Sequence, residues 1–195
     1  DSQGNEQWRR TYGDGYGSSV QQTLDGGFVL AGRDYDEDRT FLLKTDSQGN
    51  EQWRRTYGEG YGFSVQQTLD GGFVLAGRDD NEDKIFLLKT DSRGNEQWRT
   101  TYSEGYGFSV QQTADGGFIL TGQNGDDGAF LLKTDSQGSQ QWRKTYGERF
   151  GYSVQQTADG GFVISGSKLV SEGYQLFLNK TDDQGNEQWV KTYGK

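Results

Sequence analysis

The residues in this chain best equipped for chemistry are carboxylates, and they gather in loops. Asp34, Asp36 and Asp38 alternate with other residues, Asp79, Asp80 and Asp83 occupy the matching stretch 45 residues further on, and Asp126 and Asp127 the next. Alternating acids present the hard oxygen ligands that calcium takes, so Asp34, Asp36 and Asp38 form a candidate calcium site. The Gly and terminal Glu that complete a calcium-binding loop are missing, and the competing reading is a solvated acidic loop that keeps the chain soluble.

Aromatic rings stand close to these acids in sequence. Tyr16, Tyr61 and Tyr106 recur in segments reading GYG, with Phe150 at the fourth place. Rings stack on sugar faces while neighbouring polar groups fix orientation, so the three tyrosines and the loop acids define a candidate glycan-binding or protein-binding face. Packing of one repeat on the next is the alternative use of the same rings. Gln21, Gln66, Gln111 and Gln155, each followed by a second Gln, are suited to amide rings that satisfy inner strand edges.

The chain contains no His and no Cys. A Ser-His-Asp triad, a Cys nucleophile, a His-ligated zinc and His-ligated haem are thereby excluded. A glycosidase-like carboxylate pair is the enzymatic chemistry left. A catalytic site is a single asymmetric constellation, whereas here the acids recur from repeat to repeat, and the chain reads as non-enzymatic. Its formal net charge of -9 disfavours phosphate backbones and anionic lipid headgroups, so neither nucleic acid nor membrane insertion is expected.

The elements that must position these residues follow from a repeat. Trp8, Trp53, Trp98, Trp142 and Trp189 are spaced 45, 45, 44 and 47 residues apart, a period typical of propellers. Each unit divides into four short segments, as in YGSSVQQT, GGFVLAGR, TFLLKT and EQWRRTYG, separated by Asp-Gly-Gly and Asp-Ser-Gln-Gly-Asn turns. Pro is absent, and Gly accounts for 31 of 195 residues. The expectation is an all-β, four-bladed β-propeller of four-stranded antiparallel blades, closed as one domain over residues 1–195. The units run about 14–58, 59–103, 104–147 and 148–194.

Length varies at one place only. From the Gly that closes the second segment to the Phe of the third there are 9, 9, 8 and 11 residues, while the other spacings are constant. Variation confined to one loop marks one face of a repeat protein, frequently the binding face. The Trp segment also occurs once too often. Residues 1–13 and the segment from Glu187 to Gly194 compete for one outer-strand place, which suggests velcro closure of the ring or self-association by strand donation.

The pattern TYG, SVQQT, DGGF, AG, LLKTD, GN, QW resembles propeller-type tandem repeats of bacterial and archaeal surface or secreted proteins, along the whole chain. It is also similar to quinoprotein-like blades, and the KTDSQGNEQW turn to the Asp-box hairpin, although the Gly here stands three residues after Asp46 and the spacing departs from that box. The resemblance implies an extracellular or cell-surface scaffold and carries over no catalytic residue. The functional expectation is a non-enzymatic scaffold that binds glycan or protein through the variable-loop face. A purely structural or designed repeat without ligand and a glycosidase-like hydrolase are the alternatives.

Overall fold

The computed structural model describes residues 2–125, 128–171 and 173–194. All regular elements among them are strands, and no helix is long and apolar enough to cross a membrane. β1 (Gly15–Gln22), β2 (Phe28–Asp34) and β3 (Arg39–Thr45) meander into β4 (Glu51–Gln67), which is 17 residues long. The first half of β4 pairs with β3, and the half from Gly60 to Gln67 pairs with β5 (Phe73–Asp79). The second unit is completed by β6 (Lys84–Thr90) and β7 (Glu96–Glu104). The third consists of β8 (Tyr106–Gln112), β9 (Phe118–Asn124), β10 (Gly128–Thr134) and β11 (Gln140–Tyr146). The fourth consists of β12 (Arg149–Gln156), β13 (Phe162–Val170), β14 (Gly173–Thr181) and β15 (Glu187–Tyr193).

The sheets therefore hold seven, four and four strands, where four sheets of four were expected. The difference is local. Gly60 in the middle of β4 has φ +135°, and its counterpart Gly105 between β7 and β8 has φ +134°, so the chain takes the same course through both linkers. All ladders are antiparallel between sequence neighbours, and each unit repeats the same register.

The turns explain why the strands end where they do. After β1, Thr23 and Gly27 exchange a backbone bond of 2.9 Å, and the Asp25 carboxylate accepts from the Thr23 hydroxyl and the Gly27 N–H. Gly26 there has φ +82°, which a residue without Cβ adopts at no steric cost. After β3, Asp46 Oδ1 accepts from the N–H groups of Gln48 and Asn50, closing the second tight turn.

Apolar cores form between units. At the first junction Val29, Ala31, Leu42 and Tyr57 meet Val65, Phe73, Leu75, Phe86 and Leu88 of the next unit, with Trp53 against them. The second and third junctions repeat the arrangement. Trp53, Trp98 and Trp142 each dock on the following unit: Trp53 lies edge-on to Phe73 at 5.8 Å, and its ring covers Gly94, where a Cβ would come within 2.7 Å of it. Tyr57 Oη donates to Gly94 O at 2.8 Å, and burial pushes its pKa up. The outer strand is thus a latch between units.

Two observations bear on closure. Val65, Val110 and Val154 are each 6% exposed, but their counterpart Val20 in the first unit is 64% exposed. Thr40, Ile85 and Ala129 are fully buried, whereas Leu176 at that place in the fourth unit is 56% exposed. The buried contacts that make three junctions are not found between the fourth unit and the first among the described residues, and closure as a disc of four is not shown. The two competing Trp segments also settle differently. The C-terminal one is β15, paired with β14. The N-terminal one forms no strand, yet Trp8 lies 5.8 Å from Phe28 and over Gly49, and Tyr12 Oη donates to Gly49 O at 2.7 Å.

Candidate functional site

The loops between second and third strands and the linkers between units share one face, as the length variation suggested. Arginines organise it. Nε and Nη2 of Arg33 both donate to Asp38 Oδ1, Nη1 reaches Asp80 of the next unit, and the guanidinium stands 4.0 Å from the Tyr61 ring centroid. Arg78 repeats the arrangement one unit on, with Asp83, the Tyr106 hydroxyl and the Tyr106 ring. Stacking of a cation on an aromatic face adds to the ion pair and fixes both groups.

The remaining loop acids are also engaged. Asp34 Oδ2 accepts from Arg54 at 2.8 Å and Asp79 Oδ2 from Arg99 at 2.6 Å, while the other oxygen of each accepts backbone N–H groups of its own loop. Asp36 is solvent-exposed. Asp34 and Asp38 turn to different arginines, and among the described residues no three carboxylates converge to hold a metal ion, so the candidate calcium ligands are not brought together. Asp126 and Asp127 lie outside the described residues. Tyr16, 53% exposed, belongs to the first unit, which no arginine of a preceding unit covers.

Nearer the axis, rings at the strand bulges make a band. Phe63 and Phe108 lie 5.3 Å apart and Phe108 and Tyr152 5.7 Å, with Tyr61 stacked on Phe63 and Tyr106 on Phe108. The glutamines take the place expected for them. Gln21, Gln66 and Gln111 accept from the N–H groups of Gln67, Gln112 and Gln156 across the junctions. Inner strands of all four units border an axial cavity of about 280 Å³.

A cavity of about 750 Å³ opens between the third and fourth units and is lined by Gln123, Glu148, Arg149, Phe150, Lys168 and Leu169 among others. It exists because the repeat is broken there. The third unit has the shortest loop and the fourth the longest, carried by the extended β13–β14 hairpin. The linker reads Glu148-Arg149-Phe150 where the second unit has Glu59-Gly60-Tyr61. Lys168 occupies the position of Asp34 and Asp79, and Val190 that of their partners Arg54 and Arg99. The ion pair that ties down the loops of the first two units is therefore replaced by a cation on the cleft wall that has no ion-pair partner among the described residues. Arg149 Nη1 donates to Glu187 at 2.7 Å, and Phe150 meets Tyr174 edge-on at 5.9 Å, with Tyr174 68% exposed. A volume of this size suits a small organic ligand.

Of the cleft residues only Phe150 figured in the sequence reading, although Arg149 and Lys168 sit where the fourth repeat departs from the others. Asn179, in an apparent glycosylation sequon, is fully buried inside β14.

No protein-family profile matches the chain, and no characterised protein matches it by sequence. Solved structures do match. The Dos1 propeller superposes with a TM-score of 0.68 at 13% identity, over 92% of this chain and 48% of that one. A COPII outer coat vertex chain gives 0.62 at 11% identity, over 93% and 51%. A GH43 β-1,3-galactosidase in complex with galactodeoxynojirimycin gives 0.56 at 12% identity, over 91% and 75%. The fold is thus propeller-like, and the chain spans about half the length of the first and second of these relatives.

Proposed function

We propose that the chain is a non-enzymatic propeller scaffold that binds a short acidic saccharide in the cleft between its third and fourth units, outside the cell or at its surface. The observation that carries this reading is Lys168, a cation without an ion-pair partner among the described residues where the first two units hold a carboxylate, in a cleft of about 750 Å³ that it lines together with Phe150, whose ring meets Tyr174. A ring face for stacking, a cation for a carboxylate or sulfate and amide groups such as Gln123 are what sugar recognition needs.

Hydrolysis is the weaker reading because a glycosidase needs two carboxyl groups facing each other, one with a raised pKa. Of the described residues lining the cleft, Glu148 alone carries a carboxylate, and each described carboxylate with a displaced pKa is displaced downward. Screening on arrays of acidic and neutral glycans, followed by calorimetric titration of the best ligand, tests the proposal. Binding is expected to weaken about tenfold in Lys168→Ala, the loss of one charge-assisted hydrogen bond. Absence of binding to any acidic glycan, or equal affinity in Lys168→Ala, would reject it.

A further inference from the structure

The first and fourth units each leave uncovered a surface that is buried at every other junction. On the fourth unit Leu176 is exposed and Val163 and Leu178 are half-buried, at the places of Thr40, Val29 and Leu42, all fully buried in the first unit. On the first unit Val20 is exposed and Leu30 half-buried, at the places of the buried Val65 and Leu75.

The hydrogen-bonding groups match as well. At the first junction the Val65 N–H donates to Ser19 Oγ, the Gln67 N–H to Gln21 Oε1 and the Leu24 N–H to Gln67 Oε1. The other two junctions carry the same three bonds. The fourth unit presents Ser153, Gln155 and the Ala158 N–H, and the first unit presents the Val20 N–H, the Gln22 N–H and Gln22 Oε1. None of these groups makes the corresponding bond in the single chain. One end of the molecule thus carries the plug, and the other end carries its socket.

We infer that two copies of this chain associate head to tail, the fourth unit of each docking on the first unit of the other, to close a ring of eight units. A heterologous contact of this kind closes only if the rotations sum to a full turn; otherwise it grows as an open filament. Four units leave the ring open, propellers typically have four to eight blades, and two copies supply the upper number.

The N-terminal segment fits the same scheme. Trp8 already holds the seat on Phe28 and Gly49 that the partner's Trp189 would need, and its own backbone enters no ladder. Residues 6–13, EQWRRTYG, then act as the outer strand beside β14 of the partner in place of its β15, EQWVKTYG, by strand addition.

Sedimentation velocity and light scattering on the intact chain test this. The expected mass is twice 21.9 kDa. Leu176→Asp and Val20→Asp change side chains exposed in the single chain, so both should fold and run at the mass of one chain, while Leu69→Asp, on an exposed turn, should stay dimeric. Trp8→Ala should weaken the dimer and Trp189→Ala leave it intact. A monomer at the highest soluble concentration, a heavier polymer, or a dimer that survives both Asp variants overturns the ring. The reverse order of the two Trp variants overturns the strand donation. Glycan binding in the cleft of a monomer would be unaffected, so this inference and the saccharide reading fail separately.

Discussion

The two faces of the molecule are built from the same four repeats and differ in what the repeats keep constant. On the turn face every unit carries one clamp. Lys44, 5% exposed, bonds to Asp25, to the Thr45 carbonyl and to Gln52. Lys89 with Asp70, Lys133 with Asp115 and Lys180 with Asp159 reproduce it at the same distance of 2.9 Å. On the loop face the corresponding positions read Arg33, Arg78, Gln123 and Ser167, and the contacts change from unit to unit. One face is constrained by buried polar groups that must be satisfied, while the other has solvent to satisfy whatever side chain is placed there. Variation that can be put to use for binding therefore collects on the loop face.

The sharpest way to break this contrast is to remove one clamp. Lys89→Ala deletes a buried ammonium and leaves the Thr90 carbonyl without that donor, and is expected to cost about 2–3 kcal/mol, the scale of hydrogen bonds to a charged group. Urea unfolding followed by Trp fluorescence measures it. A loss below about 0.5 kcal/mol, the range of ordinary surface substitutions, would remove the distinction between the faces.

Acid acts on all four clamps at once. The Thr23 hydroxyl and the Lys44 ammonium hold the Asp25 carboxyl at about 2, and Asp159 is held at about 2 by Thr157 and Lys180. Asp70 and Asp115, where burial opposes the same two partners, are also held at about 2. A folded pKa below the unfolded value of about 3.9 means stability that is present above pH 4 and lost as pH falls toward 2. Denaturant midpoints should drop across that window, and replacing the four Asp residues with Asn should flatten the drop. An unchanged slope in the fourfold variant would show that the clamps do not carry the acid sensitivity.

Much of this architecture was legible in the chain. Tight-turn residues at constant spacing place strand ends, because Gly26 and Asp46 satisfy local backbone geometry that depends on little else. The single variable spacing identified the loop face. The lysine clamp was missed although its signal is plain afterwards: a Lys next to Thr in every otherwise apolar third strand. The pairing of Asp34 with Arg54 joins residues 20 apart in sequence, and only strand register brings them together. Ring closure was not legible for a physical reason. Identical repeats specify how one unit sits on the next, and a small change in that rotation alters how many units complete a circle. The cleft was missed because the repeats were read for what they share, whereas Lys168, Arg149 and Val190 matter for where they depart.

The mildest test lies on the loop face. Arg78 bonds to Asp83 and the Tyr106 hydroxyl and covers the Tyr106 ring at 4.5 Å, with about a quarter of its side chain exposed (23%). Asp83 is 66% exposed, so water replaces the guanidinium when it is removed, and no buried charge is stranded. Arg78→Ala is expected to cost about 1 kcal/mol or less, the range for solvent-screened ion pairs with an added cation–π contact. The same denaturant titration measures it beside Lys89→Ala. If the arginine costs as much as the lysine, the loop face is as constrained as the turn face, and its variation needs an explanation other than freedom from structural demand.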